Sequence, residues 1–154
     1  MAFISAYAFV CQAFLTEKDG VTSAIRIVDV FYMAPINDAT RESLPPIGMA
    51  LYINVRLTED DSDSHTLAID LVRPDGETKR VAAFENKVVE TKFENTDKTI
   101  NAVGNIGVVP KQFGKHEFVV HFDGRRVASA FFMLIENQTL SDAPSAQRLP
   151  ESPL

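Results

Sequence analysis

Cysteine, tryptophan and long runs of like charge are scarce or missing in this chain of 154 residues. Its one cysteine, Cys11, cannot form an internal disulfide, which favours a reducing, cytoplasmic compartment. No run of five like charges occurs, and the net charge of −6 argues against a nucleic acid or an anionic membrane as partner. Without tryptophan, only Tyr7, Tyr32 and Tyr52 are candidates for a sugar-stacking platform, and packing in or around the core explains them better.

A cleaved leader is not predicted at the apolar start of the chain. No basic residue precedes Lys18, so the positively charged region of a signal peptide is missing. The apolar run is also too short and too interrupted to span a bilayer. Residues 2–10 instead alternate aromatic with small aliphatic side chains, which predicts a buried first strand.

Sustained helical periodicity is absent as well, so the sequence predicts no substantial helix. Residues 47–57 show the period of two that is typical of a strand with one buried face. We expect the aliphatic face of this strand to belong to the core. The opposite face, which carries Tyr52, Asn54 and Arg56, is expected to be solvated.

The strongest hairpin signal covers residues 114–136. Phe118 and Phe122 lie on the apolar face of an alternating strand, and an almost continuous apolar run follows it. Between the two runs lies Asp123-Gly124, a preferred centre for a type I′ turn, because both central residues of that turn need a positive φ. We therefore predict a tight antiparallel hairpin here.

Further strands are predicted over residues 22–33, 65–71, 78–84, 87–93 and 99–109. The pattern slips near Ile27 and Val28, which predicts a β-bulge within a single strand 22–33. Segments 78–84 and 87–93 are either two weak strands or one strand broken at residues 85–86. About seven to nine short strands with turns between them predict an all-β, antiparallel two-sheet β-sandwich, immunoglobulin-like or jelly-roll-like.

The sequence predicts one folded domain followed by a tail. A chain of this length buries a sufficient core without disulfides or metals, and we assign residues 1–136 to the β-sandwich domain. Residues 137–154 contain prolines and many small polar side chains without apolar periodicity. They are predicted to form a disordered tail.

Several stretches together resemble a known group of proteins. They are TSAIRIVDVFYMAPI, ALYINVRL, AIDLVRPDGE and IGVVPKQFGKHEFVVHFDGRRVASAFFMLIE. The chain is similar, over residues 2–136, to small uncharacterised bacterial β-sandwich proteins classed as a domain of unknown function. The resemblance implies a β-sandwich fold and a bacterial, intracellular setting, and it brings no catalytic residues. Its shared motifs are turn sequences that serve folding geometry.

The acidic loop 58–64 is the place where cation ligands are grouped in the sequence. The candidate ligands are Asp60, Asp61, Asp63 and His65. The loop lacks the glycine and the closing glutamate of a calcium-binding loop, so a solvated turn is the favoured interpretation. We predict no metal and no cofactor.

Side chains with catalytic chemistry are few and scattered. His116 and His121 are five residues apart on one predicted strand and should project to opposite faces, as surface or rim residues. Cys11 has no basic neighbour in sequence to lower its pKa, which favours a small buried hydrophobe. No nucleophile, base and acid occur in a recognisable arrangement, so the sequence predicts that the protein is not an enzyme.

Two classes of function remain open. The leading hypothesis is a protein-interaction or assembly module, with an unknown protein or a second copy as partner, because segments 2–10 and 131–135 are apolar on both faces. The alternative is a β-sandwich that binds a small ligand, a carbohydrate or calcium. It would use loops 34–46, 58–64 and 94–98 at the ends of the sandwich.

Overall fold

The computed structural model describes residues 3–18, 22–38, 46–58, 64–87 and 98–137. These residues form nine strands: β1 (Phe3–Thr16), β2 (Thr22–Ile27), β3 (Val30–Met33), β4 (Ile47–Leu57), β5 (Ser64–Val72), β6 (Thr78–Lys87), β7 (Lys98–Val108), β8 (Gly114–Phe122) and β9 (Arg125–Glu136). Within these ranges no helix is long and apolar enough to cross a membrane.

The strands form two sheets that pack face to face. One sheet has four strands in the order β2-β1-β4-β7, and the other has five in the order β3-β9-β8-β5-β6. All neighbouring strands are antiparallel except β3 and β9, which run parallel. This arrangement confirms the predicted all-β, two-sheet sandwich.

The core lies between β4 and β7 of the first sheet and β5, β8 and β9 of the second. Its large buried side chains alternate along each strand, as the period of two requires. They include Met49, Leu51, Ile53, Val55, Leu57, Leu67, Ile69, Leu71, Ile100, Phe118, Val120, Phe122 and Phe132. The predicted bounds of β4 are confirmed, together with the assignment of its aliphatic face to the core.

The strand predicted over residues 22–33 is two strands in different sheets. β2 pairs with β1, whereas β3 pairs with β9 of the other sheet. The chain crosses at Val28 and Asp29, where the Val28 N–H donates to Val10 and the carbonyl of Asp29 accepts from Met133. The slip in the pattern therefore marks a change of sheet, and the predicted bulge within one strand is wrong.

The β8–β9 hairpin is confirmed with its type I′ turn. Asp123 and Gly124 have φ values of 48° and 76°, the positive sign that this turn requires. The predicted break at residues 85–86 is wrong, because β6 pairs with β5 without interruption as far as Lys87. The predicted strand beyond Lys87 and the predicted tail after Asn137 lie outside the described residues.

Candidate functional site

His65, one of the candidate cation ligands, is held by the turn of the β8–β9 hairpin. Its Nδ1 lies 2.8 Å from Oδ2 of Asp123, and its ring centroid lies 4.6 Å from that of Phe122. The other carboxylate oxygen of Asp123 accepts a hydrogen bond from the backbone N–H of Thr66. His65 therefore fastens the start of β5 to the hairpin turn.

The remaining candidate ligands, Asp60, Asp61 and Asp63, lie outside the described residues, so a cation site in their loop stays untested. In the part of the chain that the structure describes, no group of three or more histidine, cysteine or acidic side chains is placed to hold a metal ion. His65 is the member of the set that can be located, and its partner is a hairpin carboxylate.

His116 and His121 lie on opposite faces of β8, as the strand period predicts. His116 points into the core, where it is 1% exposed and its ring stacks on Phe132 at 4.9 Å. Its Nδ1 lies 3.2 Å from the carbonyl oxygen of Gly114, an acceptor that keeps a proton on Nδ1. Burial lowers the pKa of His116 and favours the neutral ring. The expected surface position is wrong for this residue, because its side chain lies on the face of β8 that packs against the other sheet.

His121 belongs to an ion cluster on the outer face of that sheet. Its Nε2 lies 3.1 Å from Oδ2 of Asp70, and both carboxylate oxygens of Asp70 accept hydrogen bonds from Arg80. These bonds from Arg80 are the main reason why the pKa of Asp70 is lowered. The cluster connects β6, β5 and β8, and ion pairs at such exposed positions each stabilise by about 0–1 kcal/mol.

Cys11 is a buried thiol, as its sequence context predicts. Its Sγ donates to the carbonyl oxygen of Ala13 at 3.3 Å. Burial raises the pKa of the Cys11 thiol, which disfavours the nucleophilic thiolate. Its role in this structure is packing.

A cleft of about 400 Å³ opens between the edge strands β6 and β7. The cleft is lined by apolar residues, including Leu51, Ile69 and Phe84, and by the charged residue Lys79. Lys79 pairs with Leu71, so its side chain lies on the inward face of β6. An inward-pointing charge on an edge strand disfavours pairing of that edge with another chain. The residues that connect these two strands, 88–97, lie outside the described ranges.

Four aromatic rings lie together on the outer face of the four-stranded sheet, and we call this surface the aromatic face. It consists of Tyr7, Phe9, Phe14 and Tyr52. The Tyr52 ring is its centre, with centroid distances of 5.0 Å to Phe9 and 6.0 Å to Tyr7. The planes of these two neighbours lie within 22° and 29° of the Tyr52 plane. Tyr7, at the margin, is 50% exposed.

The rings cover small residues that would otherwise face solvent. Cys11 and Ala50 pair directly on this side of the sheet, and both are fully buried. The expectation that the second face of β4 is solvated holds for Arg56, which is exposed, and is wrong for Asn54, which is buried. This part of β4 is covered because of tertiary packing, since aromatic side chains from the neighbouring strand β1 lie over it.

Two asparagines lie beside the rings. The Tyr52 hydroxyl donates to Oδ1 of Asn101 at 2.8 Å, and Nδ2 of Asn54 donates to the same oxygen at 2.6 Å. Burial, with a smaller effect of the nearby Tyr7 phenol, raises the pKa of Tyr52, which keeps its hydroxyl a donor. Asn54 is only 7% exposed, and its own Oδ1 has no hydrogen-bond partner. An unsatisfied buried acceptor costs about 1–3 kcal/mol.

The structure brings together two of the three tyrosines that were named as candidates for a sugar-stacking platform. Tyr7 and Tyr52 share the aromatic face, whereas Tyr32 lies on β3 of the other sheet. Sequence reasoning missed Asn54 and Asn101, although an amide in the middle of an apolar strand is a detectable signal. Their pairing across the sheet joins residues far apart in the chain, which alternation alone does not reveal.

Other exposed apolar side chains lie on the side of the sandwich that carries the edge strands β2 and β3. We call these residues the β2–β3 flank: Leu15, Ile25 and Ile27 belong to the four-stranded sheet, and Tyr32, Phe131 and Ile135 belong to the outer face of the five-stranded sheet. Ile27 is 72% exposed and Tyr32 is 64% exposed. Of the nine large hydrophobic residues exposed in the described ranges, these six lie on this flank, so exposure is concentrated there.

Comparison with protein families gives one match. Residues 40–134 match the profile of a family described as a family of unknown function (DUF6941). The matched residues run from just before β4 to the last part of β9, so they include strands of both sheets. No curated protein sequence matches the chain significantly.

Solved structures that are similar to this chain include two from Pseudomonas species. An immunoglobulin-like protein from Pseudomonas aeruginosa has 17% identity and a TM-score of 0.33, over 87% of this chain and 94% of its own. An alkylpurine DNA glycosylase from Pseudomonas fluorescens, bound to DNA containing an abasic site analog, has 13% identity and a TM-score of 0.40 over 82% of this chain. The match spans 30% of the glycosylase's length. These likenesses concern the fold, and no ligand or activity is carried over from them.

Proposed function

The chain belongs to the family of unknown function DUF6941, and we propose that it is a non-enzymatic assembly module that pairs with a second copy through the β2–β3 flank. The observation that carries this proposal is the concentration of exposed aliphatic and aromatic side chains beside two open sheet edges. Large apolar groups at such a position are typical of protein interfaces.

The two sides of the sandwich differ in how their edges are protected. β6, the edge strand on the opposite side, carries the charged residues Lys79, Arg80 and Glu85 among its exposed positions. Charged side chains of this kind prevent unwanted edge-to-edge pairing. β2 and β3 expose Ile25, Ile27 and Tyr32 instead, which supports docking of another chain at this edge.

Charge on the flank supports a second copy as the occupant. Arg26 and Asp29 are both exposed and lie three residues apart at the crossing between β2 and β3. In an isologous interface the same surface patch of both copies meets across a two-fold axis. Arg26 of one copy can therefore contact Asp29 of the other copy, and the reverse contact forms as well. Such complementary pairs set register and suppress wrong partners.

The non-enzymatic part of the proposal is supported by the contacts of the side chains that have catalytic chemistry. His65, His116 and His121 each contact a hairpin carboxylate, a backbone carbonyl or an ion cluster. Cys11 is buried with a raised pKa. The single cysteine also supports a cytoplasmic setting, as part of the proposal.

The test is size-exclusion chromatography with light scattering on the full chain, over micromolar to millimolar concentration. We expect the mass of a dimer for the unaltered chain and a shift to monomer for Ile27→Glu and for Phe131→Glu. The matched control is Val109→Glu, which adds the same charge at an exposed apolar residue that follows β7, and it should remain dimeric.

Charge reversal provides the second arm of the test. Arg26→Glu and Asp29→Arg should each weaken the dimer, and the double variant should restore it because the pair is then inverted across the two-fold axis. A monomer at the highest concentration overturns the proposal. So does a dimer that survives both glutamate substitutions on the flank.

A further inference from the structure

The aromatic face is a surface of a different kind from the β2–β3 flank. It lies on the middle strands β1 and β4 of the four-stranded sheet, whereas the flank follows the open edges. Among the described residues of β1, β4 and β7 that point outward here, Arg56 at one end is the only charged one. On a chain with a net charge of −6, this is a neutral region.

Phe9 and Tyr7 are stacked on Tyr52, so the faces of these rings are turned largely towards one another. Tyr7, at the margin, is half-exposed and offers the most ring surface to solvent. Ring faces carry negative quadrupole density, which attracts weakly positive C–H groups. The exposed ring of Tyr7 therefore suits a ligand that has C–H groups on one side.

The hydrogen-bonding capacity beside the rings is incomplete. The Tyr52 hydroxyl and the Asn54 amide N–H both donate to one oxygen, Oδ1 of Asn101. The carbonyl oxygen of Asn54 receives no donor, although this side chain is more than nine-tenths buried. Unpaired buried acceptors are rare in native proteins, and a missing donor from a ligand is one physical explanation for such an atom.

Tyr7 lies beside this acceptor. It is directly opposite Asn54 in the β1–β4 register, so its side chain borders the buried amide. Because Tyr7 is half-exposed, a ligand that contacts its ring lies next to this amide.

We propose that the aromatic face binds a neutral sugar, with a pyranose ring stacked on Tyr7 and a sugar hydroxyl donating to Oδ1 of Asn54. A sugar ring combines a C–H face with equatorial hydroxyl donors, the two features that this surface complements. The four rings carry no charge, and stacking on Tyr7 requires none on the ligand, so we take a neutral sugar as the occupant. The site does not use the end loops and shares no residue with the proposed dimer surface, although Ile25 and Ile27 lie on the same outer face of the four-stranded sheet.

The test is native affinity electrophoresis of the full chain in gels that contain laminarin, mannan, xylan, dextran or hydroxyethyl cellulose. We expect at least one of these neutral polysaccharides to retard the protein. Tyr7→Ser should weaken binding roughly tenfold, because stacking on one ring is worth about that factor in an equilibrium constant. Asn54→Leu keeps the approximate size of the side chain, removes the acceptor and should weaken binding as well.

The matched control is Tyr32→Ser, which removes an exposed tyrosine from the other sheet and should leave retardation unchanged. Tyrosine emission provides a second readout, since the chain has three tyrosines and no tryptophan. The bound polysaccharide should alter this emission in the unaltered chain and not in Tyr7→Ser.

Three outcomes overturn the inference. They are the absence of retardation by any of the five polysaccharides, retardation that survives both Tyr7→Ser and Asn54→Leu, and a change of molar mass in Tyr7→Ser without sugar binding. The last outcome would assign the aromatic face to a protein contact. Dimerisation is disrupted by different substitutions, so failure of one proposal does not decide the other.

Discussion

Two buried polar side chains, Asn54 and His116, differ in how their polar atoms are satisfied. His116 has a backbone acceptor and an aromatic partner, and its neutral form fits the core. Asn54 has one satisfied group and one unsatisfied oxygen. Substitution of His116 should therefore change how stability depends on pH, whereas substitution of Asn54 should change stability little or raise it.

His116→Phe should reduce the loss of stability on acidification. Burial lowers the native pKa of His116, so below about pH 6.5 the unfolded chain binds a proton that the native state does not. The free energy of unfolding then falls as pH decreases from about 6.5 towards the lowered native pKa. Urea unfolding followed by circular dichroism at neutral pH and at about pH 5 measures this loss in both proteins.

His121→Gln is the control, because it removes a histidine from the outer face of the same strand. Its unfolding curves should retain the pH dependence that His116 causes. An equal loss of stability in the unaltered chain and in His116→Phe over this pH range would contradict the prediction.

Asn54→Leu should leave the free energy of unfolding unchanged or raise it by up to about 1 kcal/mol. Removal of the unsatisfied oxygen offsets the loss of the bond to Asn101, whose oxygen keeps the Tyr52 donor. Asn101→Leu removes the shared acceptor and should cost about 1 kcal/mol or more. Urea denaturation measures both, and a loss beyond about 1.5 kcal/mol in Asn54→Leu would show that its oxygen is satisfied in solution.

At the scale of the element, turns and strand starts place the hairpin against the rest of the sheet. Gly114, the first residue of β8, has a φ of 120°, and an added Cβ would lie 3.2 Å from Pro74 of the β5–β6 turn. The β5–β6 turn is closed by the Gly76 N–H donating to the carbonyl of Arg73. The start of β8 is therefore packed against this turn.

Gly114→Ala should destabilise the protein by about 1–3 kcal/mol, because alanine is strained at this φ and its methyl group meets Pro74. Gly104→Ala is the matched control in β7, where an added Cβ meets nothing within 4 Å. That variant should be neutral or more stable by about 0.5–1 kcal/mol, since glycine weakens a strand interior. Thermal unfolding compares the two, and equal losses would contradict the prediction.

At the scale of the whole molecule, two consecutive residues of β9 belong to the core and to the proposed interaction surface. Phe132 is fully buried and contacts Phe31, His116 and Phe118. Phe131, its neighbour, is 54% exposed on the β2–β3 flank, and the Nζ of Lys115 lies 4.9 Å from its ring centroid. Because neighbouring side chains of a strand point to opposite faces, Phe132 stabilises the core and Phe131 lies on the proposed interface.

Phe132→Ala should cost about 3–5 kcal/mol, because it leaves a cavity at the centre of an aromatic cluster. Phe131→Ala should cost less than about 1 kcal/mol as a monomer, since it removes an exposed ring and one cation–π contact. Urea denaturation at a concentration below that of dimer formation separates the two. A similar cost at both positions would contradict this division of β9.

Local patterns were sufficient to predict the fold class, the bounds of β4 and the type I′ turn at Asp123-Gly124. They were sufficient because the period of two and the positive φ of a tight turn depend on neighbouring residues in the chain. The same alternation correctly separated the aromatic side of β1 from its aliphatic side over residues 6–10.

Other features depended on which distant segments became neighbours. The change of sheet between β2 and β3 follows from hydrogen bonds to Val10 and Met133, far away in sequence. The covered face of β4, the burial of His116 and the contact of Asn54 with Asn101 follow in the same way from cross-strand register. Alternation states only that a side chain points to one side of a strand. What covers that side is set by the packing of the sheets, so the candidate sites emerged only from the folded arrangement.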